Sequence, residues 1–70
     1  MIYTDGVHLI SNHSREELHE FAKKMGLKRS WFQNHKIPHY DLLKNRSQLA
    51  IKFGAIVVTT RELIKIFRNK

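Results

Sequence analysis

The sequence of 70 residues predicts a single compact α/β domain with a small mixed β-sheet and about three helices, in the order β-β-α-β-(β)-α-β-α. Two capping boxes precede apolar residues at helical spacing, which indicates amphipathic helices. A β-branched run at 55–59 indicates a buried strand, and two strand-like segments open the chain. Because strands and helices alternate in so short a chain, we expect the helices to pack on one sheet in one domain, 1–70.

The chain begins with two strand-like segments, 1–4 and 7–10, which are separated by the dipeptide Asp-Gly at 5–6. Asp-Gly between two apolar runs is typical of a β-hairpin with a two-residue type I′ turn. In such a hairpin Ile2 faces Leu9, so the two strands begin the sheet at the N-terminus.

The first helix is predicted to begin after Ser14 and to end near Gly26. Ser14 and Glu17 form a capping box, in which the Ser hydroxyl accepts from a first-turn N–H and Glu17 reaches back to the N–H of the cap. Gly26 suits the left-handed residue that follows many helices. The apolar stripe of this helix consists of Leu18, Phe21, Ala22 and Met25.

Residues 31–42 are expected to hold one or two short strands, which are interrupted at Pro38. A second helix is predicted to begin at Asn45, which is followed three residues later by Gln48. Gly54 is expected to close this helix.

The run 55–59 lies between a glycine and a helix cap, and we interpret it as a strand buried on both faces with parallel neighbours. Thr59 and Glu62 form another capping box, which predicts a terminal helix. The apolar stripe of that helix consists of Leu63, Ile64, Ile66 and Phe67.

Charge is unevenly distributed along the chain. The sequence contains 13 Lys and Arg against 6 Asp and Glu, for a formal charge of +7. Residues 1–35 hold five basic and four acidic residues, a net of +1, whereas residues 36–70 hold eight and two, a net of +6. The C-terminal half is therefore expected to attract anions, although a basic surface can also serve solubility alone.

Composition excludes several classes of protein. Cysteine is absent, which excludes disulfides, thiolate zinc sites and Cys nucleophiles. The longest apolar run is 55–58, whereas about 18 residues are needed to span a bilayer, and the N-terminus lacks a signal peptide. We expect a soluble protein with no membrane partner. Because a core of this size rarely supplies more than about 3–5 kcal/mol, we also expect a homo-oligomer.

The sequence resembles the family known as domain of unknown function 4031, small proteins of bacteria and phages. The resemblance covers nearly the whole chain and rests on Met1-Ile2-Tyr3 with Asp5, Glu17-Leu18-His19, Phe21-Ala22, Gly26-Leu27, Trp31-Phe32-Gln33, Pro38-His39-Tyr40-Asp41-Leu42, Gly54-Ala55 and Arg61-Glu62-Leu63. The family name brings no activity. The resemblance implies a bacterial or phage setting, and because the sequence shows neither a membrane span nor a signal peptide, we expect a cytoplasmic location in the host cell.

The segment 31–41 concentrates aromatic and polar side chains that suit a nucleotide. Trp31 and Tyr40 offer faces for stacking, and Gln33 can hydrogen-bond a base edge. The alternative is that these aromatic residues belong to the core. The candidate ligand-binding residues in this segment are Trp31, Gln33, His35, His39, Tyr40 and Asp41.

Two predicted helix starts are candidate phosphate sites, because free N–H groups at a helix N-terminus favour anions. Thr59 and Thr60 supply hydroxyls beside Arg61, and Arg46 follows the cap at Asn45. The alternative is that both are ordinary helix caps, which need no ligand.

A small hydrolase is a further hypothesis. In an extended strand His39 and Asp41 point to the same side, so the carboxylate can orient the imidazole as a general base. His8 or His13 would be a second proton carrier.

We expect neither a cofactor nor a metal site from the sequence. His35 and His39 are four residues apart, as two ligands on a helix would be, but Pro38 disfavours a helix there. Neither Cys nor Glu accompanies the pair as in metalloprotease signatures.

The first hypothesis for function is a non-enzymatic module that binds a phosphate-bearing nucleotide, and the phage setting suggests a protein that sequesters a host nucleotide signal. The second is a nucleic-acid-binding protein, which only the positive charge supports, because no helix-turn-helix or zinc-finger pattern is present. The third is the hydrolase that uses His39 and Asp41.

Overall fold

The computed structural model describes residues 1–34, 36–42 and 46–68. Within those residues the chain forms a five-stranded mixed sheet with three α-helices and a short 3-10 helix, so the predicted α/β class is confirmed. The strands are β1 (Ile2–Thr4), β2 (His8–Ser11), β3 (Phe32–Gln33), β4 (His39–Asp41) and β5 (Ile56–Val57). The helices are α1 (Arg15–Lys24), α2 (Arg46–Lys52) and α3 (Thr60–Arg68), and the 3-10 turn is Arg29–Trp31.

The strand order is β3-β4-β2-β1-β5. Strand β5 runs parallel to β1, and the other three pairings are antiparallel. The parallel neighbour of β5 was predicted and is present, but the predicted burial on both faces is wrong: β5 is an edge strand whose side chains are left uncovered. Ile56 and Val57 are 36% and 58% exposed.

The connection between β1 and β2 is longer than the predicted two-residue turn. Thr4 pairs with Leu9, and Ile2 pairs with Ser11 rather than with Leu9. The cause is local: the Asp5 carboxylate accepts hydrogen bonds from the backbone N–H of Val7 at 2.9 Å and of His8 at 2.7 Å. This side-chain turn takes up residues 5–8 and shifts the strand register.

Helix α1 begins and ends where the sequence predicts. Ser14 Oγ accepts from the Glu17 N–H at 3.1 Å, but the Glu17 carboxylate does not complete the box. It instead binds the N-terminal ammonium of Met1 at 2.9 Å and the hydroxyl of Ser11. Gly26 is left-handed, with φ 79°, which lets the Leu27 N–H reach the Ala22 carbonyl at 2.9 Å and close the helix.

The capping box of α3 is complete. Thr59 Oγ1 accepts from the Glu62 N–H at 3.1 Å, and Glu62 Oε1 accepts from the Thr59 N–H at 3.0 Å. The predicted second helix is present as α2, although its predicted cap Asn45 lies outside the described residues.

The sheet has two chemically different faces. Paired residues share a face, and the apolar face carries Ile2, Thr4, Leu9, Phe32 and Tyr40. The opposite face, here called the histidine face, carries His8, Ile10, Gln33, His39 and Asp41. The core lies on the apolar face, where helix α1 supplies Leu18 and Ala22 and the residue that follows the helix supplies Met25.

Several large apolar side chains between the end of α2 and β5 in the sequence remain exposed. They are Ile51, Phe53, Ile56 and Val57, and we call them the β5 patch. No helix among the described residues is long and apolar enough to cross a membrane.

Candidate functional site

Two imidazoles and one carboxylate meet on the histidine face. His8 pairs directly with Asp41 across β2 and β4, and His39 is two residues before Asp41 on the same strand. His39 Nε2 lies 3.3 Å from Asp41 Oδ1, and the His8 and His39 rings meet edge to face with centroids 5.1 Å apart. One ligand atom from each residue lies within 4.8 Å of the others.

The Asp5 carboxylate forms a hydrogen bond with the His8 ring. Its side chain is only 2% exposed, and the His8 Nδ1–H donates to its Oδ2 at 3.0 Å. Thr60 Oγ1, at the start of α3, donates to the same oxygen at 2.7 Å. Burial raises the pKa of Asp5, but hydrogen bonds from His8 and Thr60 outweigh it, so the pKa lies well below its usual range. Asp5 is therefore ionised and fixes the orientation of His8.

A backbone carbonyl orients His39. His39 Nδ1 lies 2.7 Å from the Ile37 carbonyl oxygen, and a carbonyl can only accept, so Nδ1 carries the proton of this bond. The other ring nitrogen, Nε2, faces Asp41.

A mainly apolar pocket of about 200 Å³ opens beside the two histidines, between the histidine face and α3. Thr60 lies at its rim at the start of α3. The pocket is lined by His8, Ile10, Ile37, His39, Thr60, Leu63 and Ile64.

A second pocket of about 200 Å³ is lined by Ser30, Trp31, Gln33 and Asp41. The guanidinium of Arg46 lies 5.6 Å from the centroid of the Trp31 ring, and the Lys28 ammonium lies 5.9 Å from it. The structure thus brings together four of the predicted ligand residues, Trp31, Gln33, Asp41 and Arg46, with His39 next to them.

Tyr40 is in the core and not on a ligand-facing surface. It is 1% exposed on the apolar face, and its hydroxyl is 2.7 Å from His19 Nδ1. Burial lowers the pKa of His19 and raises the pKa of Tyr40, so the neutral imidazole accepts from the neutral phenol. The stacking role predicted for Tyr40 is therefore incompatible with its position, and the alternative of a core aromatic holds for this residue.

The predicted phosphate site at the start of α3 uses its polar groups internally. The Thr59 hydroxyl caps the helix, and the Thr60 hydroxyl donates to Asp5. The hydrogen bond from the Thr59 N–H lowers the pKa of Glu62, which places a carboxylate at this helix start. Arg61 is exposed, and nothing in the described contacts directs it toward the histidine face.

Other sequence-predicted residues lie elsewhere. His35 and Asn45 are outside the described residues, and His13 is exposed and separate from the histidine cluster. Sequence reasoning missed Asp5 and the Ile37 carbonyl as the groups that orient the histidines. The Asp5-Gly6 dipeptide signalled a turn, but gave no sign that the carboxylate also binds His8.

Comparison with known proteins identifies the family and nothing further. No curated protein and no solved structure matches the chain. The profile of the family described as protein of unknown function (DUF4031) matches residues 4–70, which is nearly the whole chain. The chain therefore belongs to the DUF4031 family, as its sequence motifs indicated.

Proposed function

We propose that this protein is a non-enzymatic binding module for a phosphate-bearing nucleotide, and that the ligand lies along β4 on the histidine face. The observation that carries the proposal is the pocket formed by Ser30, Trp31, Gln33 and Asp41, with the Arg46 guanidinium 5.6 Å from the Trp31 ring. Aromatic, amide, carboxylate and guanidinium groups in one place suit a ligand with both a base and a phosphate.

Trp31 would stack on the base, although cations now lie over its ring. A cation–π contact at an exposed site contributes about 0.5–1 kcal/mol. Base–aromatic stacking contributes about 1–3 kcal/mol. Replacing a cation by a base on the ring is therefore favourable, and it releases Arg46 or Lys28 to meet the phosphate.

Gln33 and Asp41 would read the edge of the base. An ionised carboxylate only accepts hydrogen bonds, whereas the Gln amide can donate and accept. The pair therefore favours a base that presents N–H donors to Asp41.

Each of the two pockets is smaller than the volume of about 300–1,000 Å³ that is usual for small-molecule sites. Because Asp41 lines one pocket and contacts His39 of the other, a single ligand can extend across both.

One biological version of this proposal is a phage protein that sequesters a nucleotide signal in the cytoplasm of a bacterial host. Sequestration needs tight binding without turnover, which suits a small protein that offers a stacking ring with cations beside it. The same version predicts that bound nucleotide is recovered chemically unchanged.

Isothermal titration calorimetry against a panel of mono-, di- and cyclic nucleotides tests the proposal. We expect binding by the wild-type protein and a loss of about tenfold to one-hundredfold for Trp31→Ala, because stacking is removed. Phe53→Ala is the matched control, since Phe53 is an exposed aromatic residue of the β5 patch. If no nucleotide in the panel binds at micromolar concentration, the proposal fails.

The same titration at increasing salt separates this function from nucleic-acid binding. A polyanion bound by the basic surface loses affinity steeply with added salt, because counterions are released. A nucleotide held by directional contacts in a pocket is expected to lose much less. Steep salt dependence with RNA or DNA, and no binding of single nucleotides, would favour nucleic acid instead.

A hydrolase is a second candidate, and the cluster of His8, His39 and Asp41 favours it. The carboxylate lies 3.3 Å from one imidazole, and the second imidazole lies beside the first, as general acid–base chemistry requires. Incubating nucleotides with the protein and separating the products by chromatography tests it. Turnover that His39→Ala abolishes would establish an enzyme, whereas unchanged nucleotides would exclude one.

The homo-oligomer expected from the short chain is a further proposal, and the β5 patch supports it. An exposed edge strand with apolar side chains is a site for pairing with a second copy. Light scattering after size exclusion is expected to report a dimer or higher oligomer, and Val57→Lys to shift it toward monomer. Glu20→Gln, which adds the same charge on the exposed side of α1, is the control. A wild-type monomer would contradict this proposal.

A further inference from the structure

The histidine cluster has the composition and spacing of a metal-binding site. His8, His39 and Asp41 each offer one ligand atom, and these atoms lie within 4.8 Å of one another. Metal–nitrogen and metal–oxygen bonds of about 2.0–2.2 Å place neighbouring tetrahedral ligands about 3.3–3.6 Å apart. The 3.3 Å between His39 Nε2 and Asp41 Oδ1 matches that separation.

The second ring nitrogen of each histidine is engaged in the way metal ligands require. Histidines that bind metals almost always donate their other ring N–H to a carboxylate or a backbone carbonyl, which fixes the tautomer. His8 donates from Nδ1 to the Asp5 carboxylate at 3.0 Å, and His39 donates from Nδ1 to the Ile37 carbonyl at 2.7 Å. In both residues a metal would therefore be bound through Nε2.

The facing atoms of His39 and Asp41 also suit a cation. Nε2 of His39 lies 3.3 Å from Oδ1 of Asp41, and an imidazole nitrogen and a carboxylate oxygen can both be ligands of one metal ion. Asp5 and Asp41 add two carboxylates to this small region of an otherwise basic protein, which further favours a cation.

We propose that His8, His39 and Asp41 bind one divalent first-row transition-metal ion through two imidazole nitrogens and one carboxylate. The ligand set selects the class of metal, because imidazole suits zinc, cobalt, nickel and iron, whereas magnesium and calcium prefer oxygen ligands. Three protein ligands leave at least one coordination position for water or another small ligand, beside the pocket bounded by Leu63 and Ile64. Asp5 is a positioning residue that acts through His8.

This site differs from the histidine pair considered from the sequence. His35 and His39 are close in the chain, whereas His8 joins His39 only because β2 pairs with β4. The metal site does not depend on nucleotide binding. It can therefore be tested with metal ions alone.

Titration of the untagged, chelator-treated protein with Co²⁺ is the experiment, since the visible d–d bands of Co²⁺ report its coordination. We expect one Co²⁺ per chain, displacement by Zn²⁺, and no competition by Mg²⁺. His8→Ala, His39→Ala and Asp41→Asn are each expected to abolish the bands, and His13→Ala to leave them unchanged. Asp5→Asn is expected to weaken binding about 10–100-fold, because it removes the negative charge of the group to which His8 donates.

Imidazole proton NMR of the wild-type protein gives a second readout that needs no variant to fold. Added Zn²⁺ is expected to shift the His8 and His39 ring resonances and to leave the exposed His13 unaffected. Unchanged His8 and His39 resonances at saturating Zn²⁺, or wild-type Co²⁺ affinity in a folded His39→Ala variant, would overturn the proposal.

Discussion

The two faces of the sheet are built from the same strands and carry chemically different side chains. Along β2, Leu9 is fully buried against the core, while its neighbour His8 points to the opposite face. Along β4, Tyr40 is buried between His39 and Asp41, which both face the other way. Because strand side chains alternate, a segment as short as three residues can supply stability on one face and chemistry on the other.

The difference between the faces follows from what covers them. Helix α1 and its C-cap residue cover the apolar face with Leu18, Ala22 and Met25. Helix α3 covers the histidine face only in part, through Leu63, and leaves a pocket of about 200 Å³. We therefore expect substitutions on the apolar face to change stability, and substitutions on the histidine face to change binding.

Leu9→Ala is expected to have the largest effect on stability. Leu9 is 0% exposed in the core, and truncating a buried Leu costs about 2–5 kcal/mol. A loss of that size is comparable with the total stability of so small a core. Urea unfolding followed by circular dichroism measures it. A loss below about 0.5 kcal/mol would contradict the assignment of this face as the core.

Tyr40→Phe is expected to have the second-largest effect on stability. The substitution keeps the ring in the core and removes the hydroxyl that donates to His19, which is expected to cost about 0.5–1.5 kcal/mol. Urea unfolding gives the free energy, and nucleotide titration of the same variant gives the binding. Impaired nucleotide binding in a variant of wild-type stability would restore the ligand-facing role that the fold argues against.

Glu17→Gln is expected to remove part of the acid sensitivity of folding. The Ser11 hydroxyl and the N-terminal ammonium lower the pKa of Glu17 below its value in the unfolded chain. Its contribution is therefore fully present above the unfolded pKa and is lost as the pH falls through the folded pKa. Glu17 is about one-third exposed, so the contribution is less than about 1 kcal/mol. The free energy of unfolding, measured from pH 6 down to pH 2, should fall less in the variant than in the wild-type protein. An equal fall in both proteins would exclude this role.

Asp41→Asn is expected to have the smallest effect on stability. The Asp41 side chain is 40% exposed, and such substitutions usually change the free energy of unfolding by less than about 0.5 kcal/mol. Binding should nevertheless be lost, because the carboxylate lines the pocket beside Trp31 and faces His39. Thermal unfolding together with ligand titration separates the two effects. Large destabilisation with binding intact would reverse the proposed division between the faces.

Local signals in the sequence predicted much of the fold. Ser14, Thr59 and Gly26 mark helix ends through contacts within a few residues, and the structure has helix ends at those positions. The relation between His39 and Asp41 was predictable for the same reason, since side chains two residues apart in a strand share a face.

Features that depend on long-range pairing were not predictable. The strand order makes β5 an edge strand, and Val57 is exposed although the run 55–59 is typical of a buried strand. The pairing of β2 with β4 brings His8 to Asp41, and the turn formed by Asp5 sets the register. Asp5 both forms the turn and binds the His8 ring. An Asp before a Gly indicates the turn, but no local pattern indicates the second role.

Nitrogen-15 NMR titration of the wild-type protein with the nucleotide panel tests most directly whether the histidine face is the binding surface. We predict that a nucleotide shifts the Trp31 indole N–H, the Gln33 side-chain amide and the backbone amides of β4, while resonances of Ala22 and Met25 under the apolar face stay in place. No change with any nucleotide, or changes confined to the β5 patch, would contradict this account.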